Sequence, residues 1–453
     1  MRTRPAVSLF LLSLLPLLVS SATAQRATAP PVSPQDLARI WDAEHVSPPV
    51  AELTHAELAK RLAHLTTGEG ALFEVEKVGE SVEGRSISVV RAGAGDFHVL
   101  LWSQMHGDEP TATAALLDLF EYLRRHRNDA VVRRLLSSLT LHAIPMLNPD
   151  GAERFERRNA QSIDINRDAL RLQTPEGRTL KAVRDRVQPR LGFNLHNQNW
   201  RTSVGEPPRP ASMSLLSVAF DEDRSDSDGR RLTRKVCAVI RDAIEPFASG
   251  QIGRYDDTFE VRAFGDNITR WGTPVVLIET GAWPSLDPDP ALVRLNFIAL
   301  AAALDALASG AVDRADTRRY ESLPLNESRQ AHILIRNATV INGAGIPPFT
   351  ADIAIVAARR LRDVKGPRQL QLVTTIDDIG DLRKLGGLRT IEASGMTVVP
   401  LTGEAAIAEG QLVDLPEWKT KQTATVAVGQ PARLALLKRA AEPGKYQVEL
   451  VLK

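Results

Sequence analysis

The chain has 453 residues, of which 43% are hydrophobic and 25% charged, a composition typical of a globular protein with room for two domains. Its 56 Lys and Arg residues nearly balance its 55 Asp and Glu residues, which leaves a formal net charge of +1. This balance argues against binding to nucleic acid or to a membrane surface through bulk charge. The single cysteine, Cys237, excludes an intramolecular disulfide, and its apolar neighbours predict a buried side chain rather than a nucleophile.

The first 24 residues have the pattern of a secretory signal peptide. Two arginines precede an apolar run at residues 7–19, and small residues occupy the expected cleavage position before Gln25. An uncleaved membrane anchor is the alternative, although the apolar run is short for a bilayer span. We expect an exported protein, secreted or periplasmic, with no membrane span after cleavage of the signal and no later transmembrane stretch.

The next part of the chain predicts a lead-in helix followed by a sheet. Residues 25–64 begin Pro-rich and then carry leucines at helical spacing. Alternating runs at residues 73–78 and 86–91 flank a glycine-containing turn and predict a hairpin at a sheet edge. Apolar runs at residues 99–102 and 139–146 enclose a helical pattern. This order of strand, helix and strand implies parallel pairing through a right-handed crossover.

His106 and Glu109 lie in the turn after the apolar run at residues 99–102. Open α/β sheets place their ligands at this end of a strand. An imidazole and a carboxylate three residues apart can bind one zinc ion, which accepts nitrogen and oxygen ligands. A polar loop that caps the helix after Pro110 would show the same pattern, so the pair does not identify a metal site without further ligands.

A loop dense in charge follows the third predicted strand. Residues 148–151, Asn-Pro-Asp-Gly, have the composition of a turn, and residues 156–170 then bring Arg157, Asp164 and Arg167 close together. A solvated charged loop is one interpretation. The other is a carboxylate-binding site, because a guanidinium group binds a carboxylate with two parallel hydrogen bonds. An aspartate in this loop could also hold a metal-binding imidazole in its correct tautomer.

Two more polar side chains end apolar runs. His196 follows the run at residues 191–195, and Glu279 follows four apolar residues within residues 274–280. A carboxylate in such a position is costly unless it has a partner or a chemical task. Glu279 is therefore a candidate general base. We interpret the other seven of the nine histidines as structural or solvated.

Taken in order, the motifs HGDE, NPDG, RRNAxxxDxNRD, NLH and IETG resemble those of the zinc metallocarboxypeptidase family over about residues 65–310. The resemblance implies an α/β fold with a central mixed, mostly parallel β-sheet flanked by helices. It also implies one Zn²⁺ per chain, bound by His106, Glu109 and His196. Glu279 matches the general base of the family.

The same resemblance implies roles for the charged loop. Arg157 matches the arginine that polarises the scissile carbonyl, with Arg158 as the alternative. Asn166 and Arg167 match the pair that binds the terminal carboxylate of the substrate. Asp164 matches the carboxylate behind the first zinc histidine, His106.

Two departures concern the substrate pocket. Many family members carry a tyrosine on a mobile loop, for which Tyr255 is the nearest candidate here. Arg167 is followed by Asp168 where many members have Asn and an aromatic residue, which points to an altered pocket for the terminal residue. Asp266 could face that pocket and favour a basic side chain, or it could be an ordinary turn carboxylate.

The implied activity is that of an exported zinc metallocarboxypeptidase acting on peptides with a free C-terminal carboxylate, or on peptidoglycan stem peptides. Three protein ligands leave a fourth zinc position for water, whose pKa falls to about 7. Glu279 could then transfer a proton from water to the leaving amine. A zinc amide hydrolase or deacylase of the same fold is an alternative, as is a non-catalytic peptide- or wall-binding protein. The sequence does not indicate the oligomeric state.

The character of the chain changes after its first 310 residues. Residues 311–330 have the composition of a linker, and residues 331–453 contain short alternating strands that predict a small β-sandwich. These strands resemble the composite β-domain that flanks the barrel of metal-dependent amidohydrolases. Residues 401–404 stand where that family's barrel would begin with a His-x-His metal motif, and they contain no histidine. We therefore expect an accessory domain without chemistry of its own.

Overall fold

The computed structural model describes residues 30–452 except 68–71, 286, 343–344, 363–365, 402–406 and 416–423, so the predicted signal peptide lies outside the described residues. The α-helices of the described part are α1 (Pro34–Glu44), α2 (His55–Leu65), α3 (Thr111–Arg125), α4 (Ala130–Ser138), α5 (Pro149–Arg154), α6 (Pro175–Val187), α7 (Asp228–Ile244), α8 (Phe264–Arg270), α9 (Asp289–Ser309) and α10 (Arg318–Glu321).

The strands before residue 330 are β1 (Phe73–Glu80), β2 (Ser86–Ala92), β3 (Phe97–Ser103), β4 (Leu139–Ile144), β5 (Leu191–Asn197), β6 (Ser203–Val204), β7 (Arg209–Pro210), β8 (Met213–Ser217), β9 (Ile252–Arg254) and β10 (Val275–Thr280). The later strands are β11 (Gln330–Val340), β12 (Phe349–Leu361), β13 (Leu370–Gly380), β14 (Gly386–Glu392), β15 (Met396–Pro400), β16 (Leu412–Asp414), β17 (Leu434–Arg439) and β18 (Lys445–Leu452).

The first unit is built on an eight-stranded sheet with the order β1-β2-β4-β3-β5-β10-β8-β9. Its central strands β4, β3, β5 and β10 run parallel, and the antiparallel pairs lie toward the two edges. The predicted α/β fold with a mixed, mostly parallel sheet is confirmed. Because β3, β5 and β10 are parallel, their carboxyl ends meet at one edge of the sheet, which is where ligands bind in open α/β sheets.

Both faces of this sheet are covered by helices. In β3, Val99 and Leu101 pack into the larger core with α1–α4, α7 and α9, whereas Leu100 and Trp102 pack into the smaller core with α6 and α8. Alternate side chains therefore enter opposite cores, which explains why the strand is a continuous apolar run. Cys237 is fully buried in the larger core, as predicted from its neighbours.

The predicted lead-in helix is two helices in the structure. The prolines Pro48 and Pro49 lie between α1 and α2, and proline lacks the N–H that a continuous helix would need. Buried Asp118 of α3 accepts hydrogen bonds from the Trp41 indole over 2.8 Å and from the Ser47 backbone N–H over 2.7 Å. This carboxylate helps to join the lead-in segment to the α/β unit.

One later helix has the length and composition of a membrane span, although most of it is buried inside the protein. Among the described residues, α9 (Asp289–Ser309) is long and apolar enough to cross a membrane by length and composition, and 72% of its most apolar window is buried inside the protein. The helix packs against α1, α3, α4 and α7. Its apolar surface thus belongs to the larger core.

The predicted linker packs partly on the α/β unit. Tyr320 of α10 and Leu323 lie in the larger core, and the Ser217 N–H donates to the Tyr320 hydroxyl over 3.0 Å. Beyond it, strands β11–β18 form a second sheet with the order β13-β12-β11-β15-β17-β18-β16, and β14 pairs with β11. The all-β character predicted for the C-terminal region is confirmed, whereas its relation to amidohydrolase β-domains stays a prediction.

Candidate active site

The turn that carries His106 and Glu109 rests on the start of α5. The Asn148 N–H donates to the Gln104 carbonyl over 3.0 Å, and a Cβ added to Gly107 would lie 2.0 Å from the Gly151 carbonyl carbon. Glycine is therefore required at residue 107 by a backbone contact.

The prediction of a turn at residues 148–151 is wrong, because this stretch begins the short helix α5. Asn148 caps the helix by accepting a hydrogen bond from the Gly151 N–H over 2.9 Å.

Three side chains at the end of the parallel strands converge. Glu109 Oε1 lies 2.7 Å from His106 Nδ1, Glu109 Oε2 lies 2.8 Å from His196 Nδ1, and the two Nδ1 atoms are 3.1 Å apart. All three side chains are buried. Tetrahedral zinc holds its ligand atoms roughly 3.3 Å apart with bonds of about 2.0–2.1 Å. The three residues therefore fit a zinc ion in donor type and in spacing.

The electrostatics of this cluster also suit a cation. Burial would raise the pKa of the Glu109 carboxyl, but His106 and His196 outweigh burial and hold that pKa well below its usual range. Burial would lower the pKa of His106, but Glu109 and Asp164 raise it. Burial lowers the pKa of His196. The carboxylate is thus ionised beside a neutral His196, whereas the raised pKa of His106 means that this imidazole must release its proton when a metal binds.

Asp164 lies behind His106. Its Oδ1 is 3.2 Å from His106 Nε2, and its Oδ2 accepts from Arg157 Nε over 3.0 Å. Burial would raise the pKa of Asp164, but the contacts with His106 and Arg157 hold it well below its usual range. A carboxylate in this position fixes the ring orientation and tautomer of a metal-binding imidazole.

Arg157 also contacts the ligand cluster directly. Its Nη1 donates to His106 Nδ1 over 3.1 Å and to Glu109 Oε1 over 3.4 Å. His106 Nδ1, which accepts this bond, is also one of the atoms that converge on the metal position. Arg157 must therefore give up this hydrogen bond when a metal binds. The arginine side chain is 43% exposed, which leaves it room to turn toward a substrate.

Eight of the predicted site residues line one cavity of about 560 Å³. Those that line it are His106, Glu109, Arg157, Asn166, Arg167, Tyr255, Asp266 and Glu279. His196 and Asp164 are not on its surface, because both are buried behind the lining residues. The structure thus brings together residues of motifs that lie up to 173 positions apart in the sequence, from 106 to 279.

The proposed carboxylate-binding pair lies at the wall of this cavity. Asn166 Oδ1 accepts a hydrogen bond from the Phe264 N–H over 2.9 Å. Because this bond engages the oxygen of the amide, the NH2 group is the end that can donate to a ligand. Arg167 donates from Nη1 to the Asn166 carbonyl over 2.8 Å and lies 3.8 Å from Glu260. Asp266 lies on the same side of the cavity, and burial raises the pKa of its carboxyl to about 6.

Glu279 faces the ligand cluster from β10. Its Oε2 atom is buried and has no hydrogen-bond partner among the described residues. Burial, and then the charge of Glu109, raise the pKa of Glu279 above its usual range. Burial also raises the pKa of Tyr255, and Glu279 adds to this rise, which places the tyrosine within electrostatic range of the base candidate.

Several lining residues are missing from the sequence-based prediction. Buried Asn194 precedes His196 by two positions on β5, and no described atom pairs with its Oδ1. A polar residue two positions before a ligand in a buried strand is a signal that could have found it. Gln198 and residues 326–328 also line the cavity. The segment 326–328 carries no sequence signal, because only the folded chain brings it there.

A family model described as "Zinc carboxypeptidase" matches residues 58–257. Carboxypeptidase SOL1 of Arabidopsis thaliana is 28% identical over 123 residues, covering 26% of this chain and 25% of SOL1. Mouse carboxypeptidase M is 30% identical over 156 residues, covering 29% of this chain and 34% of that protein. A solved metallo-carboxypeptidase from Burkholderia cenocepacia aligns with a TM-score of 0.44 and 19% identity over 54% of this chain and 67% of its own.

The chain thus matches about a quarter to a third of the length of these curated relatives. Glu279 lies beyond the segment that the family model matches, so its place in the site rests on the structure. The family uses zinc, and the His106, Glu109 and His196 cluster is present. The resemblance predicted from the motifs is confirmed by this match to residues 58–257.

Proposed function

We propose that the chain is an exported zinc-dependent metallocarboxypeptidase that hydrolyses the C-terminal peptide bond of peptides. The observation that carries this proposal is the meeting at one cavity of a His-Glu-His cluster, a glutamate whose Oε2 atom has no hydrogen-bond partner among the described residues, and an Asn-Arg pair. The relatives named carboxypeptidases support it over the part of the chain that they match.

His106, Glu109 and His196 would hold the zinc ion. When bound, zinc supplies Lewis acidity, which polarises a carbonyl group and makes water a stronger acid. Glu279 accepts a proton from the attacking water and donates it to the amine that leaves. Arg157 donates a hydrogen bond to the carbonyl oxygen as it gains negative charge, a contribution of about 3–4 kcal/mol for one such donor.

Asn166 and Arg167 account for the restriction to the last peptide bond. A guanidinium group and an amide NH2 group both donate to a carboxylate, and together they fix its position. A substrate held there presents its terminal bond to the ligand cluster, which lowers the entropy cost of reaching the reactive geometry. A deacylase of the same fold has no need for this pair, so the pair favours the carboxypeptidase.

Export is part of the proposal and rests on the signal-peptide pattern of residues 1–24. Peptidoglycan stem peptides belong to the proposed substrate class, because they end in a free carboxylate and export would bring the enzyme within their reach.

The experiment uses protein that begins at Gln25, with zinc measured by mass spectrometry and a peptide mixture as substrate. About one zinc per chain and loss of single C-terminal residues would support the proposal. Zinc with no trimming of peptides would instead favour a deacylase, and no zinc would favour a binding protein. Fractionation of cells expressing the full chain tests export, which fails if the mature protein stays with the cytoplasm.

A further inference from the structure

The segment between the two units, residues 324–328, forms part of the candidate active site. Asn326, Glu327 and Ser328 line the same cavity as the ligand cluster and Glu279. These residues lie outside the segment that the family model matches and inside the stretch predicted to be a linker. The cavity is therefore completed by residues beyond the zinc carboxypeptidase domain.

This connecting segment, residues 324–328, is hydrogen-bonded to two stretches of the α/β unit. The Arg254 N–H donates to the Pro324 carbonyl over 2.8 Å, and the Asn326 N–H donates back to the Arg254 carbonyl over 3.0 Å. Ser203 and Glu327 exchange two backbone hydrogen bonds of 2.7 and 2.9 Å. The segment thus fixes β9, which leads directly into Tyr255, and the loop that follows His196.

One side-chain contact extends this support toward the metal ligands. Asn326 Nδ2 donates to Gln198 Oε1 over 3.3 Å, and Gln198 Nε2 donates to the Ala211 carbonyl over 2.8 Å. Gln198 lies two residues after His196 and lines the cavity. Asn326 is half-buried, so this bond is partly protected from water.

The connecting segment is also continuous with the C-terminal sheet. The Gln330 N–H donates to the Arg201 carbonyl over 3.0 Å at the first residue of β11, and the Gly386 N–H of β14 donates to the Arg329 carbonyl over 2.9 Å. The C-terminal sheet therefore anchors the C-terminal end of the connecting segment.

The position of the connecting segment indicates which part of a peptide substrate it would contact. A peptide whose terminal carboxylate is bound by Asn166 and Arg167 has its last peptide bond at the ligand cluster. The rest of the peptide must leave the cavity along another wall. Asn166 and Arg167 are supported by Phe264 and Glu260, whereas the connecting segment is supported by different residues, Ser203 and Arg254.

We propose that residues 326–328 form the wall of the cavity that receives substrate residues upstream of the scissile bond, and that Asn326 is a positioning residue acting through Gln198. This inference rests on the proposed peptidase activity. It assigns the C-terminal region a role in the site: the sheet anchors the connecting segment, and the segment shapes the path of longer peptides.

The test compares two substrates that end in the same two residues, an N-acylated dipeptide and a hexapeptide. For Asn326→Ala we expect KM for the hexapeptide to rise about fivefold, as the loss of one hydrogen bond predicts, with kcat changed less than about twofold. KM for the dipeptide should be unchanged. Ser328→Trp, which adds bulk to the wall, should raise KM for the hexapeptide further. Leu325→Ala is the matched control, because the Leu325 side chain is 52% exposed and does not line the cavity.

Equal effects on both substrates, or none on either, would overturn the inference. Hydrogen exchange provides a second readout that does not need activity: Asn326→Ala should speed exchange of the amides of residues 198–203, and Leu325→Ala should not. If the wild-type protein trims no peptide, the proposed function fails on its own. Unchanged exchange in Asn326→Ala would then also show that Asn326 does not support residues 198–203.

Discussion

Glu279 lies directly opposite His196 in the parallel register of β10 and β5. Paired residues in neighbouring parallel strands project to the same side of a sheet, so the base candidate projects to the same side as a zinc-ligand candidate. Glu279 is assigned proton transfer, whereas His196 is assigned metal binding. Mutation of Glu279 can therefore abolish turnover without removing the metal.

Glu279→Gln should retain about one zinc per chain and lose turnover by a factor on the order of 10² to 10⁴, the usual contribution of a general base. The amide keeps the size of the side chain but cannot accept the proton. Metal analysis and kcat are measured on the same preparation, with exposed Glu222→Gln as the control. Turnover near that of the wild type would remove Glu279 from its assigned role.

Arg167→Ala should weaken kcat/KM for peptides with a free C-terminal carboxylate by roughly 10- to 100-fold, as expected for loss of a hydrogen bond to a charged group. Residual hydrolysis of amidated peptides should change little, because their ends have no negative charge. Arg171→Ala is the matched control, since Arg171 is an exposed arginine of the same loop. Equal losses on acid and amide substrates would argue against carboxylate binding by Arg167.

Gly107→Ala should destabilise the turn that carries the first two zinc-ligand candidates, by about 1–3 kcal/mol as in other overpacked sites. The added Cβ would lie 2.0 Å from backbone carbon of Gly151, which cannot rotate away. We expect less bound zinc and a lower urea midpoint. The comparison variant is Gly84→Ala, where φ is +78° but no atom lies within 4 Å of the added Cβ. That variant should lose only about 1–2 kcal/mol and keep its zinc.

His142 predicts a pH dependence of folding away from the site. Burial, and then neighbouring His98, lower the pKa of His142 to about 4. An unfolded histidine has a pKa of about 6.5, so the unfolded state binds more protons between these values, and stability should fall by about 1–3 kcal/mol as the pH drops from 6.5 to 4.

His142→Gln should reduce this pH dependence, as measured by urea unfolding between pH 4.5 and pH 7.5. Exposed His64→Gln on α2 should leave it as in the wild type. A His142 variant that keeps the full dependence would show that other groups cause it.

The site could be predicted from the sequence where the pattern is local. The strands β3, β5 and β10 are buried on both faces, so they are continuous apolar runs, and His106, His196 and Glu279 follow or end them. The fold class followed from the same runs and from the ordered motifs.

What could not be predicted depends on contacts between distant residues or on an ambiguous local pattern. Asn326 and Gln198 are 128 positions apart, and neither lies in a motif. Asn148 and Pro149 are common both in turns and at the start of a helix, so their composition did not distinguish the two. The apolar helix α9 resembles a membrane span because a helix buried on all sides needs no polar face.

The central claim is that the cavity removes one residue from a free C-terminus with zinc at the His106, Glu109 and His196 cluster. The most direct measurement follows by mass spectrometry a single peptide, prepared as the acid and as the amide, with protein that has been stripped of metal and then reloaded with one zinc. We predict that the reloaded protein shortens the acid by one residue and leaves the amide intact, and that the stripped protein does neither. Equal trimming of acid and amide, or trimming without zinc, would contradict the account.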